Sequence, residues 1–419
     1  MNSNTLMKSV GSALPNFGYS GYPEYFKAVA KRLLLGQLAK LKYNSLSLSY
    51  EGELYHFGEV KKNSIRVEVK NDLFFPAMLI GGSVGAAESY IEGHWDSDDL
   101  VGVFRVLIQN QKVLDDVDGG LMSSLQDALG RLWHQSRKNS ISGSKQNIVA
   151  HYDLSNDFYS AWLDPSMSYS AALFSSKKET LESAQLSKVK RMISELDLKP
   201  GDHILEIGTG WGFLAAVAVK EFGLKVTTTT ISERQYEYAK ELFEREAITD
   251  KVSLLKEDYR NLKGQYDGIV SVEMIEAVGY RYWPEYIAKV DSLLKPGAKF
   301  TMQGITIDEK AFENYKDRVD FIRRFIFPGS CLLSINRFLD NVKDFSSMRL
   351  CELKDLGLDY AETLKHWRMN FIDASDEIDQ MGFDESFRRL WLYYLQYCEA
   401  GFLEQFIGDY QFTFKKVEF

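Results

Sequence analysis

The feature that most constrains the fold is a glycine-rich turn between a predicted strand and a predicted helix. Residues 204–207 are a short apolar run typical of a buried strand, and the apolar run from Phe213 is typical of a helix. Gly208, Gly210 and Gly212 lie between them, where they let the backbone turn tightly and approach a ligand closely. A strand, a glycine turn and a helix form the first unit of a doubly wound sheet, which holds its ligand at the helix N-terminus.

The spacing of the glycines narrows the choice of ligand. Gly-x-Gly-x-Gly lacks the lysine of a phosphate-binding loop and fits the dinucleotide fingerprint only loosely. It is more similar to the S-adenosylmethionine turn of class I methyltransferases. A plain tight turn without a ligand is the alternative, and the elements that follow favour the methyltransferase interpretation.

Predicted strands alternate with predicted helices after the turn, which is typical of a mostly parallel sheet. The further strands are predicted at residues 225–232, 252–256, 268–272 and 299–307, with a turn at 295–297 and two late antiparallel strands at 348–354 and 410–416. We therefore predict an α/β fold: a class I, Rossmann-like methyltransferase domain with a doubly wound, mostly parallel seven-stranded sheet and helical insertions.

Length and composition predict a second, smaller domain. A chain of 419 residues exceeds one typical domain, and its 45% hydrophobic and 26% charged residues are ordinary for a globular protein. Alternating segments at 45–50, 53–57 and 64–69, followed by helical stretches at 83–92 and 99–111, predict a small α+β domain over residues 1–130. Residues 131–147 are polar, Ser-rich and basic, which predicts a linker. Residues 148–419 would then form the methyltransferase domain.

Charge and patterning exclude several classes of protein. A net charge of −9 argues against nucleic acid as a partner. The chain has no apolar run of the roughly 18 residues that a membrane-spanning helix needs, and its first residues lack a signal-peptide core, so we expect a cytoplasmic protein. Cys331, Cys351 and Cys398 are far apart and odd in number, which predicts three buried thiols and neither a disulfide nor a metal site.

One segment of the N-terminal region is basic although the chain as a whole is acidic. Residues 24–42 carry five basic side chains and one acidic one, with apolar residues at helical spacing. A basic amphipathic helix is what a protein resting on the anionic inner face of a membrane would use. An outer helix packed on its own domain, with its lysines in water, is the alternative.

Several ordered segments resemble the cyclopropane fatty acid synthase family, which includes the mycolic acid cyclopropane synthases. The resemblance extends from about Gly81 to the C-terminus and includes HYDLSNDFY at 151–159, VSVEMIEAVG at 270–279, FIFPGSCL at 325–332 and DYAETL at 359–364. It implies an enzyme that moves the methyl group of S-adenosylmethionine onto the double bond of an unsaturated acyl chain, in long members a chain of a membrane phospholipid. The product would be a cyclopropane, or a methyl-branched or methylene chain. A homodimer is one oligomeric state that the family often adopts.

The resemblance also assigns the cofactor site by position. Gln235 would bind the ribose, where dinucleotide folds usually have an acidic residue. The implied contacts to S-adenosylmethionine are Tyr152, Tyr169, Ser170, Gly208, Gly210, Ile231, Gln235, Asp258 and Tyr259.

The sequence departs from the family where the family binds bicarbonate, its base for the proton released after methyl transfer. That pocket usually has a Cys after the Tyr-Ser pair, a Glu followed by a His, a His on the fifth strand and a late Tyr. Glu276 and Tyr360 match this pattern, whereas Ala171, Ala277 and Gln303 replace the Cys and both His. Gln303 can donate a hydrogen bond but carries no charge. Bicarbonate binding is therefore in doubt. The candidate catalytic residues are Glu276, Tyr360 and Gln303, and Glu276 acting directly as the base is one alternative.

Two other functions remain open from the sequence. A soluble methyltransferase for a small molecule would fit the fold but leaves the N-terminal domain without a role. A relative that binds lipid or cofactor without catalysis would fit the altered pocket.

Overall fold

The described part of the chain forms two compact units. The computed structural model describes residues 22–59, 64–111 and 154–418. The first unit falls within Met1–Leu129 and Phe371–Ala400, and the second within Gly130–Asn370 and Gly401–Phe419. Phe371–Ala400 thus packs with the N-terminal residues, although its sequence was assigned above to the methyltransferase domain. The predicted linker lies outside the described residues.

The first unit contains a four-stranded sheet with the order β2-β1-β3-β4. Its strands are β1 (Ser45–Tyr50), β2 (Glu53–Gly58), β3 (Ile65–Val69) and β4 (Trp95–Ser97), and its N-terminal helices are α1 (Glu24–Leu38), α2 (Phe74–Ile91) and α3 (Leu100–Gln109). β1 pairs antiparallel with β2 and parallel with β3. The predicted strands of this region are confirmed. Helix α2 is longer than predicted because it continues across a kink at Gly82.

Arg389 holds the late segment Phe371–Ala400 against the sheet of the first unit. Its guanidinium donates hydrogen bonds to the carbonyl oxygens of Tyr90 (2.6 Å) and Trp95 (2.9 Å). It also pairs with Asp96 at 3.1 Å and lies 4.0 Å from the centre of the Tyr90 ring. A planar guanidinium can satisfy three acceptors and stack on a ring at once, which explains why this distant segment belongs to the first unit.

Helix α1 turns its lysines toward its own domain. Lys27 pairs with Glu24 and Asp72 at 2.9 and 3.0 Å, and Lys31 pairs with Glu53 at 3.4 Å. The outward face is instead largely apolar, with exposed fractions of 73%, 48% and 50% for Tyr25, Val29 and Leu33. For these two lysines the structure corrects the expectation of a basic outward face.

The second unit contains the predicted seven-stranded sheet, with the order β10-β11-β9-β8-β5-β6-β7. The strands are β5 (His203–Ile207), β6 (Lys225–Thr229), β7 (Val252–Leu255), β8 (Tyr266–Val272), β9 (Leu294–Ile307), β10 (Met348–Asp355) and β11 (Ile407–Lys416). The five strands β5–β9 are parallel, and β10 and β11 are antiparallel to their neighbours. The start of β9 differs most from the prediction, because the expected turn at 295–297 lies inside the strand, and the other strand ends differ by three residues at most.

Helices cover the sheet between successive strands. The helices of the second unit are α4 (Asn156–Ser160), α5 (Leu181–Ser194), α6 (Phe213–Phe222), α7 (Glu233–Arg245), α8 (Ile275–Val278), α9 (Trp283–Leu293), α10 (Glu309–Tyr315), α11 (Ile335–Phe345) and α12 (Gly357–Asp373). The later helices α13 (Ser375–Gln380) and most of α14 (Glu385–Leu403) belong to the first unit. Every residue of α6 from Leu214 to Val219 is at most 7% exposed, so the helix after the glycine turn is buried almost all round.

The cysteines differ from the expectation of three buried thiols. Cys331 is buried, but Cys351 is exposed and Cys398 is half-buried. Cys351 lies on β10, which is the edge strand of the sheet and is exposed over most of its length. Within the described ranges, no helix combines the length and apolar character that a transmembrane span requires.

Candidate active site

The glycine turn lies between the carboxyl end of β5 and the start of α6, and each of its glycines has a positive φ. The angles are 102°, 54° and 93° for Gly208, Gly210 and Gly212. A Cβ atom on Gly212 would lie 3.0 Å from the Phe243 ring, so packing requires a glycine there. A Cβ atom on Gly210 would meet no heavy atom within 4 Å. The turn therefore leaves space for a ligand at Gly210.

Two predicted cofactor residues lie beyond the end of β6, the neighbouring strand. Ile231 is half-buried, and Gln235 is buried in the first turn of α7. The Thr230 hydroxyl donates a hydrogen bond to Oε1 of Gln235 at 2.9 Å. Because the oxygen of the amide is thereby engaged, the nitrogen remains as the group that can donate to a ribose hydroxyl.

Asp258 and Tyr259 follow β7, as predicted, but Asp258 has a partner that sequence reasoning missed. Arg260 donates from its backbone, Nε and Nη2 atoms to the Asp258 carboxylate at 3.0, 2.8 and 2.7 Å. Burial would raise the pKa of Asp258, but the hydrogen bonds and charge of Arg260 outweigh it and lower that pKa. One acceptor position of Oδ2 remains for a ligand donor. The Tyr259 ring packs edge-on against Tyr286 at 5.3 Å between centroids.

Tyr169 and Ser170 lie on the segment that precedes α5. The Tyr169 ring is surrounded by four aromatic rings at centroid distances of 5.3 to 6.3 Å, those of Tyr159, Trp162, Phe327 and Trp367. The Ser170 hydroxyl accepts a hydrogen bond from Nζ of Lys188 at 2.6 Å. Tyr152, the remaining predicted contact, lies outside the described residues.

Two predicted catalytic residues converge on a carboxylate that sequence reasoning did not single out, that of Glu273. The Tyr360 hydroxyl donates to its Oε2 at 2.8 Å. Nε2 of Gln303 and the backbone amide of Ala171 donate to its Oε1 at 2.8 and 2.7 Å. Glu273 directly follows β8, which is where open α/β sheets place their sites. That strand-end position is the signal by which it could have been found.

Glu276, the third predicted catalytic residue, lies beside this cluster and faces β9. It is 8% exposed, and its Oε1 accepts from the Ile305 amide at 2.5 Å. Its Oε2 is buried without a hydrogen-bond partner in the part of the chain that the structure describes. Burial, and then the negative charge of Glu273, raise the pKa of Glu276 to about 8. The surroundings of Glu276 therefore favour its protonated form near neutral pH.

Further buried ionisable groups lie next to the cluster. Burial lowers the pKa of Lys188 to about 8, against the attraction of Glu273. Burial also raises the pKa of Glu206, on β5, to about 8. The pKa of Asp409, on β11, is raised well above its usual value by burial and by the charges of Glu273 and Glu276. Perturbed groups gathered at the carboxyl edge of a parallel sheet are typical of an active site.

Comparison with known proteins identifies the family. Residues 139–412 match the family model described as mycolic acid cyclopropane synthetase. The chain belongs to this family.

This chain has relatives in Mycobacterium tuberculosis and Escherichia coli. It is 35% identical over 339 residues to tuberculostearic acid methyltransferase UfaA1 of Mycobacterium tuberculosis, covering 79% of this chain and 78% of the relative. It is 36% identical over 355 residues to the cyclopropane-fatty-acyl-phospholipid synthase of Escherichia coli, covering 84% of this chain and 87% of the relative.

A solved structure supports both the fold and the methyl donor. The mycolic acid cyclopropane synthase CmaA1, complexed with SAH and CTAB, superposes with a TM-score of 0.61 at 27% identity, covering 65% of this chain and 98% of that one. SAH, S-adenosylhomocysteine, is what remains of S-adenosylmethionine after methyl transfer. The chain has the class I fold and is an S-adenosylmethionine-dependent methyltransferase. Its own residues fit that donor, because the turn is open at Gly210 and the amide nitrogen of Gln235 is available.

Proposed function

We propose that this protein transfers the methyl group of S-adenosylmethionine to the double bond of an unsaturated acyl chain in a membrane phospholipid. The observation that carries the proposal is the hydrogen-bonded carboxylate of Glu273, which lies near the glycine turn. Met274, the next residue in the chain, shows this proximity, because a Cβ atom on Gly208 would lie 3.4 Å from its side chain. Methylation of a carbon–carbon double bond leaves a carbocation that must lose a proton. A site for this chemistry needs a positioned base that is shielded from water.

The aromatic rings around Tyr169 support the same substrate class. A double bond is a weak nucleophile, so both reactants must be held in near-attack geometry in a dry pocket. Aromatic faces also stabilise a nearby cation by roughly 0.5–2 kcal/mol each. The rings of Trp162 and Trp367 are fully buried, at 0% exposure, and both pack on Tyr169. They hold the Tyr169 ring in a fixed apolar setting.

The names of the two curated relatives describe different products, one a tuberculostearic acid and the other a cyclopropane fatty acyl chain. Our proposal therefore covers both a cyclopropane and a methyl-branched or methylene product. The direct test is incubation of the purified protein with S-adenosylmethionine and vesicles of dioleoyl phosphatidylglycerol, followed by lipid mass spectrometry. We expect oleoyl chains heavier by one methylene unit and an equal amount of S-adenosylhomocysteine. Vesicles of the saturated dipalmitoyl lipid are the matched control.

Unmodified acyl chains, with S-adenosylhomocysteine formed only when a soluble acceptor is supplied, would overturn this proposal. That outcome would favour a small-molecule methyltransferase. Tight binding of S-adenosylmethionine without any turnover would favour a relative that only binds cofactor or lipid.

We further propose that the first unit rests on the anionic inner face of the membrane through the outward face of α1. A helix packed on a domain in water normally exposes polar residues, but this helix exposes Tyr25, Val29 and Leu33. Arg32 is exposed on the same side. An apolar stripe flanked by a cation suits the boundary between acyl chains and anionic headgroups. Lys27 and Lys31 serve instead to attach the helix to its domain.

Liposome co-sedimentation tests this surface. Replacing Tyr25, Val29 and Leu33 by Ser should weaken binding to vesicles about 100-fold, because each side chain contributes ~1 kcal/mol or more when it leaves water. Leu353→Ser, which changes an apolar residue that is 39% exposed on β10, is the matched control and should bind as wild type does. Equal binding by the triple variant and wild type would assign the stripe another role.

A further inference from the structure

We propose that the carboxylate of Glu273 is the base that accepts the proton after methyl transfer, and that it does so in place of a bicarbonate ion. This inference rests on the proposed function, since it names the proton acceptor of that same reaction.

The first support is the set of donors around Glu273. Ala171, Gln303 and Tyr360 are the positions that the family resemblance assigns to bicarbonate, and all three direct a hydrogen bond to the Glu273 carboxylate at 2.7 to 2.8 Å. A carboxylate and a bicarbonate ion present the same planar pair of anionic oxygens. The side chain of Glu273 therefore occupies the place where these donors would hold a free anion.

The second support is the backbone of Glu273, which has a φ of +44°. Residues other than glycine rarely adopt such angles, and when they do the strain is often kept for function. The amide of Glu273 donates to the carbonyl oxygen of Gln303 at 2.9 Å, which ties this unusual turn to β9. The turn places a carboxylate where β8 ends, close to the glycine turn that follows β5.

The third support is a chain of hydrogen bonds that orients the amide of Gln303. Arg191 can only donate, and its Nη1 donates to Oε1 of Gln411 at 2.6 Å. Nε2 of Gln411 then donates to Oε1 of Gln303 at 3.0 Å. The remaining atom of the Gln303 amide, Nε2, therefore faces the two acids, and it donates to Glu273 and to Asp409 at 2.8 Å each. Gln303 acts as a positioning residue that presents a donor to the base.

The distribution of hydrogen bonds also shows which acid carries the negative charge. Glu273 accepts three of them. Glu276 and Asp409 accept one each, from Ile305 and Gln303, and each keeps its second oxygen buried with no partner among the described residues. Hydrogen bonds to the charged form favour ionisation, and burial without them favours the proton. We therefore assign the charge to Glu273 and protons to Glu276 and Asp409. Burial still raises the pKa of Glu273, which makes it a stronger base than an exposed glutamate.

The reaction at this site begins with the acyl double bond and ends with a proton on Glu273. The π electron pair of the acyl double bond forms the bond to the methyl carbon, while the electron pair of the methyl–sulfur bond stays on sulfur. The chain is left with a carbocation next to the methylated carbon. Glu273 then takes a proton from the added methyl group, and the freed C–H pair closes the three-membered ring. If it takes the proton from the adjacent chain carbon, the product is a methyl-branched alkene. Glu273 ends as a neutral acid in both cases.

Glu273→Gln tests the role of the carboxylate with little change in shape. Loss of a general base lowers turnover by about 100-fold or more, and we expect that decrease here. Affinity for S-adenosylmethionine, measured by calorimetry, should stay within a few-fold, because the base acts after the donor is bound. Glu276→Gln is the matched comparison and should lose less activity. If Glu276→Gln were inactive and Glu273→Gln active, Glu276 would be the base instead.

Glu273→Gly supplies a second, independent readout. Glycine adopts the positive φ without strain and leaves an anion-sized space lined by the three donors. We expect bicarbonate, formate or acetate to restore turnover to this variant, with no stimulation of wild type in buffer depleted of carbon dioxide. A Glu273→Gly protein that binds S-adenosylmethionine but is not rescued by any of these anions would overturn the inference, as would a wild type that requires bicarbonate. Both results leave the proposed function standing, because that function depends only on acyl methylation by wild type.

Discussion

A side chain at Gly210 should weaken binding of S-adenosylmethionine about 100-fold at a small cost in stability. Gly210 has a φ of +54°, and a Cβ atom there would touch no protein atom within 4 Å. The left-handed backbone alone makes Gly210→Ala less stable by ~1–2 kcal/mol. The alanine side chain would nevertheless project into the space left for S-adenosylmethionine. A clash of ~3 kcal/mol weakens binding about 100-fold.

Gly201→Ala is the matched control, since Gly201 has a φ of +94° and equally open surroundings but precedes β5, away from the turn. Calorimetry and thermal melting with and without S-adenosylmethionine measure both quantities. Ligand at a hundred times its Kd stabilises a protein by ~2.7 kcal/mol, and we expect this gain in wild type and Gly201→Ala but not in Gly210→Ala. Normal affinity in Gly210→Ala, or its loss in Gly201→Ala, would refute the assignment of the turn.

Three further variants test the surroundings of the site and the first unit. Burial raises the pKa of Glu206 from 4.5 to about 8. Between these pH values the native state keeps a proton that the unfolded state loses, so the free energy of unfolding should fall as pH rises from 4.5 to about 8. Urea titrations should show a smaller fall for Glu206→Gln. Arg389→Met should destabilise the first unit by ~2–4 kcal/mol in thermal melts, because it removes the hydrogen bonds to the carbonyl oxygens of Tyr90 and Trp95 and the ion pair with Asp96. Arg389→Lys should not restore the stability, because an ammonium group lacks the planar fork that reaches all three acceptors. Gln411→Leu should lower kcat several-fold with an unchanged KM for S-adenosylmethionine, because the Gln303 amide is then free to turn its oxygen toward Glu273; an unchanged kcat would show that the amide needs no orientation.

The order and type of the sheet elements could be predicted because their signals are local. Apolar and β-branched runs place most strands of the second unit within a few residues, and Gly or Pro precedes several of them. The glycine turn could also be predicted, since positive φ angles at close spacing favour glycine. The start of β9 was mistaken because Lys295, Pro296 and Gly297 are typical of a turn, yet the structure continues the strand through them.

The features that sequence reasoning missed depend on contacts between distant residues. Lys27 and Asp72 are far apart in the chain, so a helical pattern alone could not show that the lysine faces inward. Arg389 is likewise separated from Tyr90 by most of the chain. The sequence predicts Glu276 rather than Glu273, because Glu276 matches the family pattern. The left-handed backbone that turns the side chain of Glu273 toward Tyr360 is visible only in the structure.

The most direct test of the account follows the methyl group itself. Wild-type protein would be incubated with S-adenosylmethionine carrying a deuterated methyl group and with dioleoyl phosphatidylglycerol vesicles, in buffer depleted of carbon dioxide. Lipid mass spectrometry and NMR would then locate the label. We predict deuterium on a new carbon at the former double bond of the acyl chain, formed without added bicarbonate. Label in the headgroup or on a soluble acceptor, or an acyl chain that stays unlabelled, would contradict the account.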